Sequence, residues 1–126
     1  MAFKKIATGI QHIGLPTNDI KKTIEFYTAL GFETIFKTML GDTAVAFLKL
    51  GDLVIETYQN GQAVGKAGAV DHIAINVTDV AEARRIADEM GLNVIEADQL
   101  PFFANGVKYF TILGPNNEKL EFNQYL

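Results

Sequence analysis

Cysteine is missing altogether from this chain of 126 residues. Its absence excludes disulfides, Cys-type zinc sites and thiol nucleophiles, and fits a reducing compartment. Long apolar runs are missing too: none approaches the roughly 18–20 residues of a membrane span. The lysines of MAFKKIATG are not followed by an apolar stretch, so no secretory signal is expected. Positive charge is not in excess. Eleven Lys and Arg against fifteen Asp and Glu leave a net charge of −4, which gives nucleic acid no electrostatic reason to bind. A soluble, cytoplasmic setting is expected, with neither membrane nor nucleic acid as a partner. Histidine is scarce: His12 and His72 are the only two.

Apolar residues are plentiful. They make up 48% of the chain, with nine Phe and four Tyr, enough for a sizeable core without covalent staples. The chain also repeats itself. IQHIGLPTNDIKKTIEFYTALGFETI (residues 10–35) lies over VDHIAINVTDVAEARRIADEMGLNVI (residues 70–95) at a constant offset of 60. His12 meets His72, Asp19 meets Asp79, and Gly31 meets Gly91. In each copy a short histidine-bearing strand leads to Thr and Asp residues suited to cap a helix. Ile20, Ile24, Tyr27 and Leu30, and likewise Val80, Ala83, Ile86, Ala87 and Met90, recur at helical spacing. Glycine then ends each helix.

Strand patterns follow at about 32–39, 43–50 and 52–59, and again near 92–96, 106–113 and 118–124. The expected fold is α+β: two tandem βαβββ modules forming a cup-shaped, largely antiparallel sheet with helices on the outer face. A single domain over 1–126 divides into module one (about 8–60), a linker (about 61–69) and module two (about 70–126).

Side chains alternate across a strand, so the register can be tested. Ile13 and Leu15 share a face, and His12 lies on the other. Ile73, Ile75 and Val77 leave His72 opposite. Leu53 and Ile55 oppose Glu56 and Tyr58; Leu120 and Phe122 oppose Glu121 and Asn123. If the helices cover the aliphatic face, both histidines and both glutamates project from the uncovered one. Glu56 and Glu121 correspond at an offset of 65, which places about five extra residues in the second half, within ADQLPFFANG. A lone histidine is more often structural than a ligand, and a lone strand glutamate is more often solvated. The repetition of both argues otherwise. Imidazole and carboxylate suit one divalent metal per site, with Zn, Ni, Co, Mn and Fe all open. Tyr58, Tyr109, Phe36, Phe47, Phe102 and Phe103 are candidates to line a pocket, and Lys108 and Lys49 to steer an anionic group.

The motifs IQHIGLPTNDIKKTIEFYTALGF, DHIAINVTDVAEA and ILGPNNEKLEFNQ resemble the vicinal oxygen chelate superfamily, the glyoxalase/bleomycin-resistance/dioxygenase group, over nearly the whole chain. The resemblance implies paired βαβββ units around a divalent metal, with His12, Glu56, His72 and Glu121 as ligands. Extradiol dioxygenases and fosfomycin-modifying transferases generally lack a carboxylate where Glu56 stands, and methylmalonyl-CoA epimerases usually carry Gln there. Glyoxalase I enzymes have the full set, and Asn60 matches an asparagine that contacts glutathione in them. The implied function is that of a lactoylglutathione lyase, acting on a small dicarbonyl adduct through a metal-stabilised enediolate. Glu121 and Glu56 would be the catalytic carboxylates.

Two departures stand out. Pro16 occupies a position where glyoxalase I commonly has an arginine for the glutathione carboxylate, and ADQLPFFANGVKYF lacks the usual second-half glutathione contacts. Two alternatives therefore stay open. One is another metal-dependent isomerase, epimerase or lyase of a 2-hydroxy carbonyl compound; the other is a non-catalytic protein that holds an antibiotic. Tyr58, Phe102, Phe103 and Lys108 join Asn60 as candidate substrate contacts, and a homodimer is expected from the family.

Overall fold

The computed structural model describes residues 2–126. A 3-10 turn at Phe3–Lys5 precedes the first module, which comprises β1 (Ile13–Thr17), α1 (Ile20–Ala29), β2 (Glu33–Leu40), β3 (Thr43–Leu50) and β4 (Leu53–Gln59). The second comprises β5 (His72–Asn76), α2 (Val80–Glu89), β6 (Asn93–Leu100), β7 (Val107–Leu113) and β8 (Lys119–Tyr125). The chain divides into two compact units between Ala63 and Val64, inside the segment expected to be the linker. Among the described residues no helix is long and apolar enough to cross a membrane.

Each module is one α+β unit with its own four-stranded mixed sheet. The strand orders are β1-β4-β3-β2 and β5-β8-β7-β6. The first and last strands of each module are parallel neighbours, and the other pairs are antiparallel. The helix supplies the crossover that parallel pairing of β1 with β4 requires.

The helix boundaries follow local chemistry that the two modules share. Asp19 Oδ1 accepts a hydrogen bond from Lys22 N at 3.1 Å, and Asp79 Oδ1 accepts one from Glu82 N at 3.0 Å. Each bond satisfies one of the orphan donors of a first turn. Two glutamines from the closing strands add a second anchor: Ile20 N donates to Gln59 Oε1 at 2.9 Å, and Val80 N to Gln124 Oε1 at 2.8 Å. At the other end Phe32 N donates to Tyr27 O and Leu92 N to Ala87 O, both at 3.0 Å. These bonds span a glycine at positive φ, Gly31 (103°) and Gly91 (68°), and complete a Schellman-type stop.

One face of each sheet is closed by its helix. In module one Ala46, Leu48 and Ile55 are fully buried with Tyr27 of α1, and Phe32 meets the Tyr27 ring edge-on at 5.1 Å. In module two Phe110, Ile112 and Leu120 are buried with Val80 and Ala87. Phe110 stacks on Phe122 at 5.1 Å, and the Arg84 guanidinium lies 5.8 Å from the Phe110 ring centre. Aromatic groups of this size supply much of the apolar area that stabilises a small unit.

β6 runs four residues beyond the expected 92–96, because Ala97 to Leu100 continue to pair with β7. The additional residues of module two therefore fall after the strand. The turn between β6 and β7 holds 101–106, where module one has only Gly41 and Asp42 between β2 and β3. Both second strands carry a bulge, between Thr34 and Phe36 and between Val94 and Glu96.

Among the described residues Thr57 Oγ1 is the one buried side-chain N or O atom without a hydrogen-bond partner. Its position on the helix face is taken by Phe122 in module two. An unmet buried hydroxyl costs about 1–3 kcal/mol, so Thr57→Val, which keeps the shape, should raise stability by about 1 kcal/mol in urea unfolding. Gly91→Ala should lower it by about 1–2 kcal/mol, because alanine is strained at that positive φ. A neutral or stabilising Gly91→Ala would refute the stop described above.

Candidate metal and substrate site

The parallel pair in each module sets the histidine against the glutamate. β1 aligns Gly14 with Glu56, and β5 aligns Ala74 with Glu121. Since residues two apart share a face, the histidine two positions before Gly14 or Ala74 emerges on the glutamate side. His12 Nε2 lies 3.6 Å from Glu56 Oε1. His72 Nε2 lies 3.0 Å from Glu121 Oε2. A Cβ built on Gly14 would lie 3.5 Å from the Tyr58 ring and hydroxyl and 3.8 Å from Glu56 Oε1, so Tyr58 shares this face.

The other ring nitrogens are also engaged. His12 Nδ1 stands 2.9 Å from Gln11 Oε1, and His72 Nδ1 stands 3.0 Å from Asp71 Oδ2. A neutral imidazole carries a proton on one nitrogen only. With Nδ1–H donated to Asp71, the Nε2 lone pair of His72 faces a carboxylate oxygen at 3.0 Å. A proton on Nε2 or a metal cation shared with Glu121 would each satisfy that contact. A metal ligand whose second nitrogen donates to a carboxylate is the usual arrangement for metal-bound histidine. The donor set therefore fits a divalent metal in chemistry.

Each module supplies two such donors. Among the described residues no group of three or more His, Asp or Glu side chains is arranged to hold a metal ion. His12 is brought to Glu56, and His72 to Glu121, within their own units.

The glutamates differ in setting. Glu121 is 9% exposed, and its Oε1 accepts a hydrogen bond from Asn123 Nδ2 at 2.6 Å. Glu56 is half-buried. The ring of His12 meets Phe47 edge-on at 5.6 Å, and Phe36 lies 6.2 Å beyond it. Module one thus surrounds its pair with aromatic surface.

Module two surrounds its pair with polar groups. A cavity of about 490 Å³ opens over the His72–Glu121 face. Asp71 binds Lys119 Nζ at 3.2 Å as well as His72. The hydrogen bond from His72, then that from Lys119, holds its carboxyl below the usual carboxylate range. Tyr109 donates to Glu96 Oε1 at 2.8 Å. That bond, reinforced by burial and by the charges of Glu96, Asp98 and Glu121, pushes the phenol up to about 12. Tyr109 therefore remains a hydrogen-bond donor across the ordinary pH range.

The remaining candidates fall in different places. Phe102 lines the cavity with Tyr109. Phe103 follows it at φ 62°, is 76% exposed, and meets the Tyr125 ring edge-on at 5.0 Å. Asn60 closes a turn, its Oδ1 accepting from Gln62 N at 3.0 Å. Lys108 does not reach the cavity. It stands between Val107 and Tyr109, which line it, and so lies on the opposite face of β7. Asn123, which alternation sets on the Glu121 face, lines the cavity, and so do Lys119 and Thr111. The same alternation carried back two residues from Glu121 reaches Lys119. Glu96 was hidden by the bulge before it.

Comparison with known proteins agrees with this architecture. The family model described as "Glyoxalase/Bleomycin resistance protein/Dioxygenase superfamily" matches residues 9–122. The chain is 33% identical to the uncharacterized protein YwbC of Bacillus subtilis (strain 168), over 94% of this chain and 99% of that one. A glyoxalase family protein from Enterococcus faecalis superposes with a TM-score of 0.77 at 23% identity, covering 98% and 99% of the two chains. A lactoylglutathione lyase from Agrobacterium tumefaciens gives a TM-score of 0.74 at 18% identity, covering 94% of each. At those identities the two structures speak for the fold alone. The chain belongs to the glyoxalase/bleomycin resistance protein/dioxygenase superfamily.

Proposed function

We propose that this protein is a divalent-metal-dependent enzyme of the glyoxalase I kind, which moves a proton at a carbon next to a carbonyl. The observation that carries this reading is the opposed pair of His72 Nε2 and Glu121 Oε2 at 3.0 Å, echoed by His12 and Glu56 at 3.6 Å. Two donors from each module add up to the ligand set His12, Glu56, His72 and Glu121, from one chain or across a homodimer. Zn, Ni, Co, Mn and Fe all accept such donors. A bound divalent metal would supply a Lewis acid for neighbouring substrate oxygens.

The protein's own groups do the rest. Asn123 donates to Glu121 Oε1 and so orients the carboxylate that would take the proton. Glu121 then returns the proton to the adjacent carbon, so the reaction is an internal rearrangement with no net loss of atoms. Glu56 is its counterpart in the repeat. Asp71 fixes the tautomer of His72. With the glutathione hemithioacetal of methylglyoxal as substrate, the product would be a lactoyl thioester.

A second reading keeps the chemistry and changes the substrate to a 2-hydroxy carbonyl compound without glutathione. Two observations favour it. Pro16 brings no charge to its strand, and Lys108 lies on the face away from the cavity. A glutathione carboxylate would lack the charged partner that such groups normally require.

Purified without chelator, the protein should carry stoichiometric divalent metal by elemental analysis. Native protein that carries no metal and gains none on titration would remove the enzyme reading and leave a binding protein. His12→Ala and His72→Ala should each weaken metal affinity by at least about tenfold; full occupancy in both would show that the histidines are not ligands. Glu121→Gln, which removes both a ligand and the base, should weaken metal affinity as the histidine variants do and lose turnover by at least about 100-fold even when metal is added in excess. Methylglyoxal with glutathione, followed through thioester absorbance after loading Ni or Zn, tests the first substrate. Absence of turnover with both metals would leave the 2-hydroxy carbonyl reading.

A further inference from the structure

The cavity of module two has an uneven distribution of charge. The inference drawn from it rests on the metal-dependent reading above and names its substrate class. Around the His72–Glu121 pair the cavity lining holds three further charged groups, Asp71, Glu96 and Lys119. Lys119 is the one Lys or Arg among the described lining residues, and its Nζ is already bound to Asp71 at 3.2 Å. Glu121 belongs to the proposed ligand set. Glu96 is left as the carboxylate with neither a basic partner nor a place in that set.

Glu96 is half committed. Its Oε1 accepts from Tyr109 at 2.8 Å, which leaves the second carboxylate oxygen free to accept from a ligand. The backbone aims it there. β6 carries its bulge between Val94 and Glu96, and Glu96 then pairs with Thr111, another cavity residue. Without the extra residue Ile95 would face Thr111. The bulge thus replaces an apolar side chain by an acidic one on the cavity wall. Asn123 spends one amide proton on Glu121 and keeps its carbonyl oxygen as an acceptor.

We propose that this cavity takes a neutral, hydroxyl-bearing 2-hydroxy carbonyl compound and discriminates against anionic substrates, phosphates and glutathione adducts included, with Glu96 as the discriminating residue. A hydroxyl on the substrate donates to Glu96 at no charge cost. A phosphate or carboxylate placed against Glu96 meets a like charge on the exposed cavity wall, and Lys119, the one basic residue described in the lining, is already bound to Asp71. Discrimination of this kind acts by penalising the wrong ligand.

Ligand-observed NMR on the metal-loaded protein tests it, with dihydroxyacetone, dihydroxyacetone phosphate and S-lactoylglutathione as probes. Glu96→Gln keeps an acceptor for Tyr109 and removes the charge; its melting midpoint and metal content are measured alongside. The native protein should bind dihydroxyacetone more tightly than either anion. Glu96→Gln should shift the neutral-to-phosphate affinity ratio toward phosphate by at least about fivefold. Tighter binding of an anion by the native protein, an unchanged ratio in Glu96→Gln, or no binding of the neutral compound would each overturn the proposal. Glu96→Asp should restore the native preference, which a merely structural role would not do. Failure here, with metal still bound through the histidines and proton exchange intact, would leave the metal-dependent reading standing. Loss of metal binding in the native protein would instead strike at that reading.

Discussion

One parallel strand contact in each module fixes where the chemistry lies. Gly14 beside Glu56 and Ala74 beside Glu121 are register statements about backbone hydrogen bonds. Yet they decide which side chains meet, because a pleated strand has only two faces. The helix takes one face and buries its aliphatic residues. The other face receives a histidine from the opening strand and a glutamate from the closing strand. A slip of one residue in that pairing would send the glutamate into the apolar core and bring an aliphatic residue to the histidine. The helix start guards against this slip, through the aspartate cap and through Gln59 or Gln124, which tie the closing strand to it.

Much of this was legible in the residues alone. The repeat at constant offset reported the module, and alternation around Ile13, Ile55, Ile73 and Leu120 reported the face of each metal-ligand candidate. Aspartate before each helix and glycine after it marked both ends, because those signals are local. What could not be read depends on tertiary pairing. The end of β6 is set by its partner Val107, not by its own composition. Charge alone makes Lys108 a candidate to steer an anionic group, but its face of β7 becomes clear only once Val107 and Tyr109 are seen to line the cavity. The Asp71–His72 and Asn123–Glu121 bonds join residues one and two apart, but their value depends on the groups that the fold brings to the far side.

The two modules share a skeleton and differ in what they do with it. Phe47 stands opposite Glu56, where Thr111 stands opposite Glu121. Thr57 sits in the core with an unmet hydroxyl, where Phe122 stacks on Phe110. One module is thus aromatic around its histidine and imperfect in its core; the other is polar around its histidine and well filled beneath.

The bulge at Ile95 separates β6 into two stretches. Residues 93 and 94 follow one alternation, and residues 96–100 follow the opposite one. Both stretches pair with β7, but of the second only Glu96 and Leu100 line the cavity. A single added residue turns the later stretch over, so that Glu96 and Leu100 reach the cavity face that unbroken alternation would have given to Ile95, Ala97 and Gln99.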